Sequence, residues 1–557
     1  MRNRTISLTL LFAGIAGCSD NAEISAPLAH AERPSLSVQS SGSNSREWSD
    51  LADDSLWAYI VRADSIVDVG LRMPGARKGI DDRGRILVVD ERKAFFRRQI
   101  TNDAGVQLIA ADTLLPLITV RLREKAALAR LRKQPFVSYV EPGQFVDSAV
   151  ELWKESGCAK DPYSGPASST LSPGDVLPWN FVRMEIDKAW TKSTGVGVLI
   201  GLVDTGIASS VPELNMPAFA NGVPGRSVTS SWTSGSSGND NCSHGTRMAG
   251  VIAAPRNGQL TVGVAYGASL YSVRVDDDVL LTNVAATRLG IRAASDAGAR
   301  VISMAFGTVM SYSSISDEIN WHYNNRDRLF IAAAGTSTGV FSLASLLTIT
   351  FPGTLSTVTT VTALDASGSV ASNAHRGPKV EFAAYASQPA PVMHPFLGPI
   401  VGGIGGSSNA TAVISGIVGL ILQRNPTFTR AQIRSALISA AAPSGYRRND
   451  IGWGVPSALC AIGAMCTAWI DGQTLIESTG SYTFSGRQSS SPGPFAYSWT
   501  SGETTQSISR QINITYGTEE YSFEIGVTIT DLSDGSQKYV SKPVTVRQPN
   551  SQCPTCF

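Results

Sequence analysis

The sequence predicts an α/β fold, a parallel sheet covered by helices on both faces, preceded by a small α+β domain and followed by a β-sandwich. Three observations predict it. From about Leu177 to Cys466, short apolar runs alternate with helical patterns, as expected of strands buried on both faces and joined by crossover helices. Before that block, strand patterns surround one amphipathic helix. After Thr467, short alternating strands are separated by Gly, Ser and Asp clusters, the pattern of a small sandwich. The chain has 557 residues, 43% of them hydrophobic, enough for several such units. Only 16% are charged, and 46 Lys and Arg against 45 Asp and Glu leave a net charge of +1. That balance excludes a nucleic-acid binder with a large basic footprint and an acidic disordered chain.

Residues 1–18 open with Arg2 and Arg4, continue with the apolar stretch Ile6 to Ile15 and end in Ile15-Ala16-Gly17-Cys18. This has the flanks and length of an export signal and is too short to span a membrane. Small residues before a cysteine resemble a bacterial lipoprotein box, in which Cys18 carries lipid; an ordinary signal cut near Gly17 is the alternative. Residues 19–46 read as a Ser-, Ala- and Asn-rich tether. Residues 47–145 form the α+β segment: strands at 57–61, 114–122 and 136–140, and a helix at 124–133. Residues 146–176 connect it to the main block. There, strands are expected at 196–203, 270–275, 301–305, 329–334 and 357–362, with helices at 285–297 and 315–324. The sandwich covers 467–549, with strands at 482–484, 495–499, 512–514, 521–530 and 540–546, and Trp499 in its core. Residues 550–557 are a tail.

Three points on the central block carry chemistry. Val203-Asp204-Thr205-Gly206 places an Asp at the carboxyl end of the first strand, where open parallel sheets gather reactive groups. Cys242-Ser243-His244-Gly245-Thr246 opens a helical run, with Ser243 a candidate cap and His244 in the first turn. Gly405-Gly406-Ser407-Ser408-Asn409-Ala410 opens a long apolar run to Leu422. The glycines let a Ser lie exposed at a helix N-terminus, where orphan N–H groups and the helix dipole favour a negative oxygen. Each is common alone. Together, in the order Asp, His, Ser, they match one of the chain orders of a hydrolytic triad.

These residues resemble the subtilases, the subtilisin-like serine peptidases. Asp204 lies in a segment like their Asp motif, His244-Gly245-Thr246-Arg247-Met248-Ala249-Gly250 is similar to their His motif, and Gly406-Ser407-Ser408-Asn409-Ala410 resembles their Ser motif. The resemblance covers about 177–466. It implies a subtilisin-like sheet and an endopeptidase in which Ser408 attacks a peptide carbonyl, His244 moves the proton and Asp204 orients the imidazole. It implies that 47–145 is an inhibitory propeptide, strongest over 122–144, with a cut shortly after Phe145. Ser303, Ala305 and Gly307 would pair with an extended polypeptide substrate by strand addition. Ala333 and Gly335 would line the pocket for the residue before the scissile bond, with no acid beside it and hence an apolar preference. The family carries an Asn where this chain has Thr336, so the side-chain oxyanion donor is replaced by a shorter hydroxyl. Two further departures, Ala412 and Ala384-Tyr385-Ala386, touch packing. The last domain is similar to Ig-like or PKD-like modules of exported enzymes.

No cofactor is expected. Calcium, which subtilases often bind through loop oxygens, is left unassigned, with Glu213 where one ligand can occur. Of seven cysteines, lipid on Cys18 leaves six. Cys460 with Cys466 and Cys553 with Cys556 are local pairs, leaving Cys158 for Cys242. The expectation is an exported, extracellular or surface-anchored peptidase, touching the membrane only through a lipid. A surface-binding protein on a catalytically impaired scaffold is the alternative. A generic α/β hydrolase is disfavoured because Ser408 lacks a Gly-x-Ser-x-Gly elbow.

Overall fold

The structure, a computed structural model, describes residues 46–73, 82–100, 102–146, 158, 168–337, 349–386, 390–393, 401–441 and 447–463, and strands and short segments between 468 and 546. Cys18 and its flanking signal, the tether up to Ser45, and Cys466, Cys553 and Cys556 lie outside the described residues.

The α+β domain begins with helix α1 (Asp53–Arg62) where a strand is expected at 57–61. The helix prevails because Leu56, Tyr59 and Ile60 fall on one buried stripe. Asp53 and Asp54 occupy its positive end and Arg62 its negative end. Strand β1 (Ile66–Leu71) and helix α2 (Asp82–Ile100) follow, then β2 (Val106–Ala111), β3 (Leu117–Leu122), α3 (Lys125–Arg132) and β4 (Val137–Pro142). The strands form an antiparallel sheet in the order β2-β3-β1-β4. Alternation along β1 sends Val67, Val69 and Leu71 into the core with Leu56, Ile60 and Leu128. Its other face carries Asp68 and Gly70, directly opposite Glu141 and Tyr139 on β4.

The central domain is built on seven strands: β5 (Leu199–Asp204), β6 (Val228–Trp232), β7 (Ser269–Arg274), β8 (Val301–Met304), β9 (Leu329–Ala333), β10 (Val358–Leu364) and β11 (Phe382–Tyr385). All run parallel, in the order β11-β10-β9-β8-β5-β7-β6. Four helices cover the sheet: α4 (His244–Ala253), α5 (Val284–Asp296), α6 (Ser313–Arg326) and α7 (Gly406–Arg424). Ile200 and Leu202 pack in one cluster with α4 and α7, whereas Val203, Ile302 and Phe330 pack with α5 and α6. The helices therefore lie on both faces, and the continuous apolar strands are explained: each buries both sets of side chains. Helix α7 is long and apolar enough to cross a membrane by composition, yet 89% of its apolar window is buried in this domain.

The α+β domain sits on α5 and α6. Glu141 accepts N–H bonds from Ser313 and Ser314 at the start of α6, at 2.7 and 2.9 Å. Asp112 pairs with Arg288 and Arg292 of α5. Trp48 lies against Tyr59 and Tyr312, at 5.2 and 5.5 Å between ring centres. Just beyond β4, the Phe145 N–H donates to the Thr282 carbonyl at 2.8 Å.

After the central domain, a three-stranded antiparallel sheet and a five-stranded sheet, antiparallel except for the parallel edge strand Leu475–Ile476, share a core of Ile476, Phe484, Tyr497, Trp499, Val527 and Val544. Strand Gln537–Val546 runs unbroken through Pro543, longer than the expected 540–546.

Replacing Phe330, fully buried on β9, by Ala leaves a cavity between the sheet and its α5–α6 layer. The expected cost is about 3–5 kcal/mol of unfolding free energy, measured as a lower urea midpoint at an unchanged slope.

Candidate active site

The register of β5 places the first chemical group. Asp204 is its last residue, opposite Arg274 on β7, while Val203 is opposite Met304 on β8. The carboxylate of Asp204 and the residues just after β8 thus emerge side by side at the carboxyl edge of the sheet. The chain then turns through Thr205 and Gly206, which has φ +104°. Helix α4 begins hard against that turn: a Cβ on Gly245 would lie 2.3 Å from the Gly206 carbonyl oxygen. Glycine at both positions is what allows the approach.

This contact brings His244 to Asp204. Nδ1 of His244 and Oδ1 of Asp204 are 2.8 Å apart, and both side chains are buried. The Thr205 N–H donates to the same Asp204 oxygen at 2.8 Å. An N–H on Nδ1 directed at the carboxylate leaves Nε2 as the nitrogen able to take a proton.

The sequence reading missed the residue that holds this corner together. Asp240 is buried, and its Oδ1 accepts the Thr205 hydroxyl and the N–H groups of Cys242 and Ser243, each at 2.9 Å. Its Oδ2 accepts the N–H and hydroxyl of Thr246, at 2.9 and 2.6 Å. Burial pushes this carboxyl above its ordinary range, against the pull of those donors. Asp240 also takes the role expected of Ser243. Ser243 has φ +87° and its side chain makes no capping bond; the carboxylate three residues earlier accepts the Ser243 and Thr246 N–H groups, and the Thr205 hydroxyl that of Gly245. A spacing of Asp240 to Thr246 across a helix start was the available signal.

Ser408 stands in the first turn of α7. Of the N–H groups that helix geometry leaves without an intrahelical acceptor, that of Gly406 donates to Ala386 and that of Ser407 to the Thr336 hydroxyl, at 2.8 and 3.0 Å. The N–H of Ser408 comes next, at the positive end of a 19-residue helix. The Ser408 hydroxyl donates to the Ala305 carbonyl at 2.8 Å. The three residues singled out as a triad therefore converge on one edge, with the Asp–His bond made and the serine hydroxyl turned to the sheet.

Thr336 is not aimed at this spot. Its hydroxyl lies 2.9 Å from the Ser407 hydroxyl and accepts the Ser407 N–H, while the Gly335 N–H donates to Ser407 Oγ at 3.1 Å. The threonine joins the end of β9 to the start of α7. Ala333 ends β9, and Gly335, at φ +119°, lies against the His375 ring.

Of the residues expected to pair with substrate, Ser303 lies inside the sheet, fully buried and laddered to β5 and β9 on its two sides. Only Ala305 and Gly307, beyond the end of β8, reach the site. Gly307 is already paired: its N–H donates to Val279, and its carbonyl accepts from Leu281, at 3.2 and 3.1 Å. The loop making those bonds carries Asp278, a buried carboxyl within electrostatic reach of His244. Burial pushes it up to about 6, with the nearby charge of Asp276 adding.

Cys158 and Cys242 form a disulfide, tying the arm that precedes the domain to the loop two residues before His244. Cys460 is also disulfide-bonded. Among the described residues no group of three or more His, Cys, Asp and Glu side chains is arranged to hold a metal ion.

Comparison with known proteins places these features in context. Residues 195–454 match the model of the subtilase family, peptidase family S8. The thermostable alkaline protease of Halalkalibacterium halodurans is 27% identical over 66% of this chain and 88% of its own. Subtilisin Savinase of Lederbergia lenta is 30% identical over 48% of this chain and 93% of its own. Subtilisin E of Bacillus subtilis is 32% identical over 58% of this chain and 74% of its own.

Asp240→Ala strands at least four buried donors at once. The expected loss is about 3 kcal/mol or more, read as a lower melting temperature in a Ser408→Ala background that prevents self-digestion. Asp240→Asn, which keeps an acceptor oxygen, should lose less.

Proposed function

Since the chain belongs to the subtilase family of serine peptidases, we propose that it is an exported endopeptidase, made as a self-processing zymogen and using Asp204, His244 and Ser408 as its catalytic triad. The observation that carries this is the buried 2.8 Å Asp204–His244 bond beside a serine at the N-terminus of α7. In the reaction, the Ser408 hydroxyl leaves Ala305, gives its proton to Nε2 of His244 and attacks the carbonyl. The imidazolium formed is stabilised by Asp204 and returns the proton to the leaving amine. The Ser408 N–H and the helix dipole face the developing oxyanion. A peptide extended along residues 305–307 takes over the Ala305 carbonyl from Ser408, and pairs with Gly307 once the 279–281 loop parts from it. Residues 47–145 are read as the propeptide: among them Glu141 and Asp112 bind α6 and α5, and the Phe145 N–H reaches the Thr282 carbonyl. Lipid on Cys18 would anchor the mature chain to a membrane surface.

A second reading, a binding protein on an impaired scaffold, is favoured by one observation: the Thr336 hydroxyl is committed to Ser407.

Two experiments separate them. Wild type should release a fragment near residue 145 and cleave casein, whereas Ser408→Ala should remain full-length and inactive; equal inactivity of both sinks the peptidase reading. In active enzyme, Thr336→Asn should raise kcat, since such a donor contributes roughly 100- to 1,000-fold in turnover. A gain of about tenfold or more with little change in KM identifies the missing donor, and no gain means the backbone donors suffice.

A further inference from the structure

The face of the α+β domain that meets the catalytic domain holds two carboxyl groups where an apolar layer would be expected. Asp68 on β1 and Glu141 on β4 are direct cross-strand partners, both fully buried. Like charges in that arrangement repel, and neither can be solvated while the domains are docked. The groups around them are few. Asp68 accepts the Thr119 hydroxyl of β3 at 2.6 Å, Glu141 spans the Ser313 and Ser314 N–H groups at the start of α6, the Ser314 hydroxyl acts on both carboxyls, and the charge of Asp112 reaches Asp68. Tyr139, next on the same face, donates to Asp317 of α6 at 2.9 Å. The nearest positive charge acting on Asp68 is Arg288 of α5, itself engaged by Asp112, while Tyr312 lies beside Glu141. No cation therefore pairs directly with either carboxyl among the described residues.

We propose that Asp68 and Glu141 form a proton-operated latch, which holds the α+β domain on α5 and α6 in acid and loosens it as the pH rises. The regulatory consequence rests on reading residues 47–145 as the inhibitory propeptide. Burial pushes Glu141 up to about 8, against the pull of the Ser314 hydroxyl and the Ser313 and Ser314 N–H groups at the positive start of α6 and with Asp68 adding to the rise; burial likewise raises Asp68 against the pull of Arg288 and Thr119. Once the domains part, both carboxyls face water and return to ordinary values of roughly 4. Between those limits the docked form holds more protons than the open form. Docking is strongest below roughly pH 4, weakens as the pH climbs towards about 8, and changes little above that. Asp317, raised by burial and hydrogen-bonded to Tyr139, adds in the same direction, whereas Asp112, held low by Arg288 and Arg292, opposes it only in strong acid.

The test uses the full chain carrying Ser408→Ala, so that nothing is cut. Hydrogen exchange of peptides containing 137–142 and 313–314 is followed from pH 5 to 9, after correction for the intrinsic exchange rate. The opening equilibrium should rise roughly tenfold or more across that range. Glu141→Gln and Asp68→Asn, two shape-preserving variants checked for a native melting transition, should each flatten the dependence. A flat wild-type profile overturns the latch, as does an unchanged slope in both variants. Separately, the chain with Ser408 intact should gain casein-cleaving activity faster at pH 8 than at pH 5. Exchange that follows the latch while no activity appears at any pH overturns the propeptide reading and leaves the latch standing.

Discussion

The position of β5 at the centre of a parallel sheet is the constraint on which the rest depends. Its ladder to β7 on one side and β8 on the other fixes Asp204 beside the residues that follow Met304. A slip of one residue would turn Val203 to the other face and carry Asp204 with it, away from His244. Everything else in the site is built onto that edge. The turn at Gly206 accepts the start of α4, Asp240 fastens the two, and α7 delivers Ser408 against the Ala305 carbonyl. Buried apolar packing behind α4 and α7 backs these strand and helix ends.

Much of this was legible in the sequence. The apolar runs at 301–305, interrupted only by Ser303, and at 329–334 pointed to buried strands, and the glycines after Asp204 and before Ser408 pointed to a turn and an exposed helix start. The α+β domain was read less well. The run 57–61 contains β-prone residues, but its partners are three and four positions apart, and only the presence of β1 beneath it makes the helix the better burial. Strand β1 itself was missed because Asp68 and Gly70 break its apolar character, for reasons that lie on another domain. Glu141 was hidden for the same cause, and Asp240 showed only its spacing to Thr246. The meaning of such a carboxylate comes from the N–H groups that tertiary structure aims at it.

Loss of the family's asparagine at Thr336 looks, in sequence, like a simple weakening of the oxyanion site. The structure gives it a second aspect. Thr336 binds both the N–H and the hydroxyl of Ser407, and so fixes the first turn of α7 to the end of β9. The donor is exchanged for a joint. On the proposed mechanism, the lost side-chain donor leaves the Ser408 N–H, in the helix turn that Thr336 ties down, as the donor facing the oxyanion.

The interface between the α+β domain and the helices beneath it mixes apolar contact with buried charge, a composition that the propeptide reading would give a purpose. Aromatic rings at Trp48, Tyr59, Phe145 and Tyr312 supply the apolar attraction. Around them, Asp112, Arg288, Arg292 and Glu318 form a buried ionic cluster, and Asp68 and Glu141 remain without a cation of their own. Burying such groups costs desolvation that apolar residues would avoid, so a permanent domain boundary has little reason to use them. Their advantage appears on separation, when the carboxyl and guanidinium groups regain water and so offset part of the cost of exposing the aromatic contact. While the chain is continuous, the high effective concentration of a tethered domain offsets those losses. On the propeptide reading, a cut in the connecting segment removes that advantage, and the same groups then favour departure.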